Sequence, residues 1–219
     1  MLRTPAPLKG ALEVMEPTPN ALIARLNFDE AQKLADYGSI LQDLRAVSEI
    51  CTRLKGFLAD ASQDPTMIEA LWTAALVRYA RCFTSSKRVR LGDEVFVGLE
   101  GDPRDAHQFY FNLRNKLIAH SVNPFEQMVV GAVLDKSSPE VLRLLGVASL
   151  SVKLVSSSIE GVDTLGRLAT AVAQKVSASA ATLHATVLEK ARRLPIENLY
   201  EGAEMTFVTP GPDDAKRPR

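Results

Sequence analysis

The segment Arg114-Asn115-Lys116-Leu117-Ile118-Ala119-His120 gathers a guanidinium, an amide, an ammonium and an imidazole near the end of one predicted helix. Imidazole is the side chain suited to proton transfer near neutral pH. Guanidinium offers a rigid fork for phosphate oxygens. Together they match the needs of RNA cleavage without a metal. There the 2′-hydroxyl attacks the adjacent phosphorus, and the site supplies a base, an acid for the leaving 5′-oxygen and a cation for the phosphorane charge. Asn115 would orient a phosphate oxygen or the histidine ring. The segment holds one histidine where acid–base catalysis prefers two, so two copies of the chain would have to share a site. On an ideal helix Arg114 and His120 point about 120° apart, whereas Lys116 and His120, at i and i+4, share a face. The same residues also fit a solvated helix end, with His120 as a cationic cap.

A second basic feature lies upstream. Arg78, Arg81, Lys87, Arg88 and Arg90 fall within 13 residues with no acid among them. With Lys116 they are the candidates for binding a phosphate backbone, and equally for a solvated run at a helix end. Arg78 and Arg81 lie off the apolar face of their helix and are expected to be exposed. Tyr79 and Phe83 belong to the apolar stripe and are not counted as base-stacking platforms.

The other histidines are weaker candidates. His184, next to Leu183, is expected at the boundary of the core or within it. His107 lies roughly 20 Å before His120 along the helix. With Asp102 and Asp105 it lacks the spacing of a metal site. No metal ligand set and no cofactor is implied. The chain has no P-loop, GxGxxG, GxSxG or HExxH motif, which argues against ATPase, dehydrogenase, serine hydrolase and zinc protease functions.

These residues must be positioned by a chain of 219 residues with 26 basic and 26 acidic side chains, a formal net charge of zero. Neutrality excludes indiscriminate whole-surface nucleic-acid binding and leaves room for a local cationic patch. Apolar residues make up 46% of the chain, enough for a core without a disulfide or metal staple. Cys51 and Cys82 form no CxxC pair and read as small core residues. No apolar run is long enough to span a bilayer, and residues 1–20 lack the apolar stretch of a signal peptide. The expectation is a cytoplasmic protein without a membrane partner.

The periodicity predicts four main helices. The first runs from about Asp29 to Ala61, with a possible break at Gly38. Its stripe is Ile40, Leu44, Val47, Cys51, Leu54 and Leu58. Asp64-Pro65 opens the second, which ends near Ser85. An irregular segment, Lys87 to Pro103, packs locally through Glu94 to Val97. The third helix runs from about Arg104 to Ser121. Two valine- and leucine-rich runs, Glu126 to Leu134 and Val141 to Leu154, flank turn chemistry at Asp135 to Pro139 and predict a β-hairpin. The last helix runs from Ser156–Ser158 to about Arg193, with an Ala/Ser-rich centre. The expected fold is mainly α: an antiparallel four-helix bundle with a small β-hairpin inserted between the third and last helices. The expected organisation is a disordered tail over 1–26, one helical domain over 27–200 with the hairpin at about 126–155, and a second tail over 201–219.

Arg-Asn, four residues and then His, near the end of a helix in such a bundle, resembles the HEPN family. The match includes Leu113-Arg114-Asn115-Lys116 and Ile118-Ala119-His120-Ser121, and the hairpin is similar to the abortive-infection branch. The resemblance implies a metal-independent endoribonuclease acting as a homodimer, a toxin or defence effector. Arg114, Asn115 and His120 take the catalytic positions, RNA is the substrate, and a cognate antitoxin or regulator chain is a possible partner. The alternatives are a non-catalytic HEPN-like interaction module, antitoxin or scaffold partner, and a plain structural protein dimerising through the last helix.

Overall fold

The computed structural model describes residues 22–60, 64–84, 88–119, 125–135, 143–203 and 211–213. It is mainly helical, at 66%, with five α-helices and one two-stranded antiparallel sheet among these residues. The order is α1 (Asp29–Ala59), α2 (Pro65–Arg81), a 3-10 turn (Asp93–Phe96), α3 (Pro103–Ala119), β1 (Glu126–Leu134), β2 (Leu144–Lys153), α4 (Ile159–Arg192) and α5 (Ile196–Glu201). The chain divides into two compact units, one of residues 37–176 and one of residues 1–36 with 177–219.

The starts follow local chemistry. Asp64 caps α2, its Oδ1 accepting from Thr66 N at 3.0 Å and Met67 N at 3.3 Å, with Pro65 at the first helical position. Pro103 opens α3 in the same way. Asp29 is the first helical residue of α1 rather than its cap, and the Phe28 carbonyl takes the first backbone bonds. Helix α1 passes through Gly38 unbroken. One interior glycine costs about 1 kcal/mol, and burial of Ile40, Leu41 and Leu44 just beyond it offsets that. Helix α2 stops at Arg81, a turn earlier than expected. After it, Leu91 N donates to the Cys82 carbonyl at 2.9 Å, folding the connection back over the helix end. Gly98 and Gly101, with φ of 73° and 77°, make the left-handed turns that lead into α3. The short helix α5 has no counterpart among the expected elements.

In the larger unit the apolar faces of the helices form the core. Ile40, Leu44, Val47, Cys51 and Leu54 of α1, Trp72, Ala75 and Tyr79 of α2, and Leu165, Val172 and Val176 of α4 are all buried. Residues 48, 51 and 55 of α1 meet residues 170, 166 and 163 of α4, so these two helices run antiparallel. Ser48 Oγ and Thr170 Oγ1 are 3.0 Å apart, Lys55 pairs with Asp163, and a Cβ at Gly166 would stand 3.0 Å from the Cβ of Cys51. Helix α2 and α3 also run antiparallel. Trp72 meets Tyr110 edge-on, at 6.2 Å between centroids, and the Tyr79 hydroxyl meets His107 Nδ1 at 3.0 Å. Tyr110 Oη donates to the Gly161 carbonyl at 2.7 Å, tying α3 to the start of α4. Ala169 and Ala173 are buried as well, so these small residues of α4 serve packing within the chain.

The hairpin pairs Glu126 with Lys153 through to Val133 with Gly146, with a bulge before Leu134–Leu144. Neither strand has a buried residue. Its base is held by Leu154 N donating to the Phe125 carbonyl at 2.8 Å, and by Lys153 paired with Glu69 of α2 at 2.8 Å.

The smaller unit joins the first turns of α1, the second half of α4 and α5. Lys190 pairs with Glu30 and lies over the Phe28 ring, 5.8 Å from its centroid. An apolar groove there is lined by Leu22, Leu26, Ile196, Leu199 and Tyr200.

Candidate functional site

Two places hold the residues singled out from the sequence: the C-terminal turns of α3, and the joint between α1 and the end of α2. In α3, Tyr110 and Leu113 face the core. That fixes the helix's rotation and brings Arg114 and Asn115 to the half-buried flank, with Lys116 exposed. Arg114 Nη1 donates to Asn115 Oδ1 at 3.0 Å. Asn115 therefore positions the guanidinium. Arg114 Nε is buried and has no hydrogen-bond partner among the described residues. A buried donor without an acceptor costs about 1–3 kcal/mol. His120, the proton-transfer candidate, lies outside the described residues.

The second place was only half visible in the sequence. Asp43 of α1 has a fully buried side chain, and three arginines converge on it. Arg78 Nη1 reaches Oδ1 at 3.2 Å, Arg81 Nε reaches Oδ2 at 2.7 Å, and Arg88 Nη1 reaches Oδ2 at 3.1 Å. Arg78 and Arg81 sit one turn apart on α2, so both project toward one side of α1. Arg88 arrives because the Leu91–Cys82 bond folds the connection back. Its Nη2 also donates to the Arg81 carbonyl, at 3.0 Å, closing the open end of the helix. The two helical arginines keep 44% and 54% of their side-chain surface in water, and Arg88 keeps 18%. Three cations on one carboxylate leave two positive charges in excess. Arg90 is exposed; Lys87 lies outside the described residues. The basic run is thus no free row of charges: its first duty is to satisfy Asp43. An alternating apolar stripe from residue 40 to 54 with an aspartate at 43, beside Leu44, was the signal for a buried acid.

His107 is also explained by its neighbours. It accepts or donates at the Tyr79 hydroxyl and is packed among Phe83, Phe96 and Phe111, with ring centroids 4.3, 4.9 and 5.6 Å away. Burial pushes its pKa below the usual imidazole value, with Asp93 opposing. Asp102, considered beside it as a ligand, instead takes the Asp105 amide at 3.5 Å at the head of α3. His184, expected at the boundary of the core or within it, is exposed although Ala180 and Val187, one turn to either side, are buried. Among the described residues no group of three or more His, Cys, Asp or Glu side chains is placed to hold a metal ion. Cys51 and Cys82 are free and buried, and burial pushes both thiols up to about 12. No helix among the described residues is long and apolar enough to cross a membrane.

Comparison with protein-family models, with curated proteins and with solved structures finds no match to this chain.

Proposed function

We propose that this chain is a metal-independent endoribonuclease of the HEPN type that cuts RNA at a site shared by two copies, a toxin or defence effector working in the cytoplasm. The observation that carries the reading is Arg114. Its guanidinium is held by Asn115, its buried Nε lacks an acceptor among the described residues, and it stands six residues before His120 in the Arg-Asn-x4-His pattern. The guanidinium fork of Arg114 is the group that would meet an RNA phosphate.

In the proposed reaction one His120 takes the proton of the 2′-hydroxyl, whose oxygen bonds to the adjacent phosphorus. The P–O5′ bond breaks, and the second copy's His120 gives its proton to the leaving 5′-oxygen. The products are a 2′,3′-cyclic phosphate end and a 5′-hydroxyl end. Arg114 balances the charge on the equatorial oxygens. The excess charge around Asp43 supports contacts with neighbouring phosphates by Arg78 and Arg81, with Lys116, Lys87, Arg88 and Arg90 as further contacts. The antiparallel pairings α1–α4 and α2–α3 support an antiparallel four-helix bundle as the scaffold.

The test is RNA cleavage in EDTA by wild type, Arg114→Ala and His120→Ala. Either substitution should lower the rate by about 10²–10⁴-fold. Cleavage by His120→Ala equal to wild type would overturn the reading. Mixed dimers with one His120→Ala chain should retain far less than half the activity; half would exclude a shared site.

The exposed hairpin favours a second reading, a non-catalytic interaction module or antitoxin-like partner of similar build. It would bind RNA or protein without cleaving.

A further inference from the structure

The joint between α1 and the end of α2 holds more cation than its buried acid uses. Arg78, Arg81 and Arg88 meet the single Asp43 carboxylate at 3.2, 2.7 and 3.1 Å, three guanidiniums against one acid. The two helical arginines are only partly engaged. A guanidinium carries five N–H donors. Arg78 gives one bond from Nη1 and Arg81 one from Nε, and among the described residues their other guanidinium nitrogens have no hydrogen-bond partner. No other acid pairs with either of them among the described residues. Both side chains stand about half in water, and Arg81, held through Nε, leaves the Nη1–Nη2 end of its fork open.

The C-terminal end of a helix ordinarily repels an anion, because its last carbonyls are open. At the end of α2 they are closed. The carbonyls of Arg78, Tyr79, Ala80 and Arg81 accept from Cys82 Sγ, Cys82 N, Phe83 N and Arg88 Nη2, at 3.4, 3.1, 3.0 and 3.0 Å. Leu91 N closes the carbonyl of Cys82. Burial pushes the Cys82 thiol up to about 12, which keeps its proton in place as a donor.

We infer that this cluster is a binding site for a phosphomonoester, the terminal phosphoryl group of a free nucleotide or of an RNA strand. Charge selects it. A phosphomonoester carries about −1.5 to −2 at pH 7, which matches the two positive charges left over, whereas a backbone diester or a carboxylate brings one. Placement selects it too. The diesters of a strand are met by cations spread along a groove, but these guanidiniums gather at one carboxylate, and two share its Oδ2. Arg78 and Arg81, one turn apart, supply the open donors, and arginine forks pair phosphate oxygens two at a time. Arg88, 18% exposed, holds Asp43 and the helix end together. The site is separate from Arg114. Tyr79, beside Arg78, meets His107, and Arg114 lies roughly 10 Å further along α3. For an RNA end the inference rests on the ribonuclease reading and deepens it, since the strand would be anchored by its terminal phosphate. For a free nucleotide it stands alone.

The test is calorimetric titration of the full chain with adenosine 5′-monophosphate and with adenosine. The monophosphate should bind with a Kd of about 1 mM or tighter, inorganic phosphate should compete with it, and adenosine should not bind. Arg78→Gln and Arg81→Gln should each weaken binding about 10-fold while the helical circular dichroism stays that of wild type. Arg53→Gln, on an exposed stretch of α1, should change nothing. Should an α2 variant fail to fold, the competition by inorganic phosphate in wild type supplies the second measurement. The source is read with two short RNAs of one sequence, one ending in a 5′-phosphate and one in a 5′-hydroxyl, bound to the His120→Ala chain. Tighter binding of the phosphorylated strand assigns the site to an RNA end. Equal binding of the two strands, with the monophosphate bound, assigns it to a free nucleotide. No binding of the monophosphate at ~10 mM, or binding that both arginine variants retain in full, would overturn the inference. These outcomes separate from the ribonuclease reading. A wild type that binds the monophosphate but cuts no RNA would sink that reading alone, and one that cuts RNA but ignores the monophosphate would sink only this inference.

Discussion

Around Asp43 a carboxylate lies inside the protein and three guanidiniums close over it. In the hairpin ten large aliphatic side chains are exposed. Each region inverts the usual partition of polar and apolar groups, but the two inversions end differently. The Asp43 cluster satisfies itself, because each carboxylate oxygen has at least one charged donor within 3.2 Å. The hairpin closes its backbone ladder between β1 and β2 but leaves those aliphatic side chains exposed. A buried charge must be paired by the chain that buries it, since the folded protomer could not otherwise form. An exposed apolar strand is tolerated in the protomer and exacts its cost only as a tendency to associate. The first region is therefore where the protomer is vulnerable.

Mutations can break this comparison, the largest effect coming from the cluster. Arg78→Ala, Arg81→Ala and Arg88→Ala together leave the Asp43 carboxylate buried and unpaired. Chemical denaturation should show a loss of about 3–5 kcal/mol. A triple variant as stable as wild type would mean that Asp43 reaches water on its own. Arg81→Ala alone should cost about 1–2 kcal/mol, because two guanidiniums remain to hold the same oxygens.

A smaller effect belongs to His107. Its pKa is lowered in the folded chain, so between the folded and unfolded values the unfolded chain binds more protons. Its contribution to stability is thus fully present above the ordinary imidazole value of 6.5 and is lost as pH falls below it. The melting temperature should drop from pH 7.5 to pH 5.5, about one unit either side of that value, and His107→Phe should flatten the drop. The smallest effect should come from Leu150→Ser. In dilute, monomeric protein it should change stability by no more than about 0.5 kcal/mol. A larger loss would show that the hairpin packs within the protomer after all, and would remove the contrast between the two regions.

Periodicity and caps made most of the architecture legible. The stripe from Ile40 to Leu54, the Asp64-Pro65 start and both hairpin strands were readable because each depends on residues within a few positions of one another. Helix α5 was missed: six residues offer too little periodicity to stand out, and Pro195 read as an end. The candidate site was legible as composition and not as geometry. Arg114 and Asn115 could be picked out, but their mutual hydrogen bond depends on how Tyr110 and Leu113 turn α3 against the core. The run from Arg78 to Arg90 read as uninterrupted positive charge because its acid, Asp43, lies 35 residues before Arg78.

By itself, then, the sequence determined what local physics controls: which segments are helix or strand, which face of each is apolar, and where the residues capable of phosphate chemistry sit along the chain. Tertiary structure decided the partners. Only folding could bring Asp43 under three arginines, give His107 an aromatic enclosure, and leave both faces of a strand pair exposed among the described residues. The reason is that pairing and burial are properties of residues distant in the chain, and no local pattern encodes whether a given apolar or charged side chain will find its complement inside the same protomer.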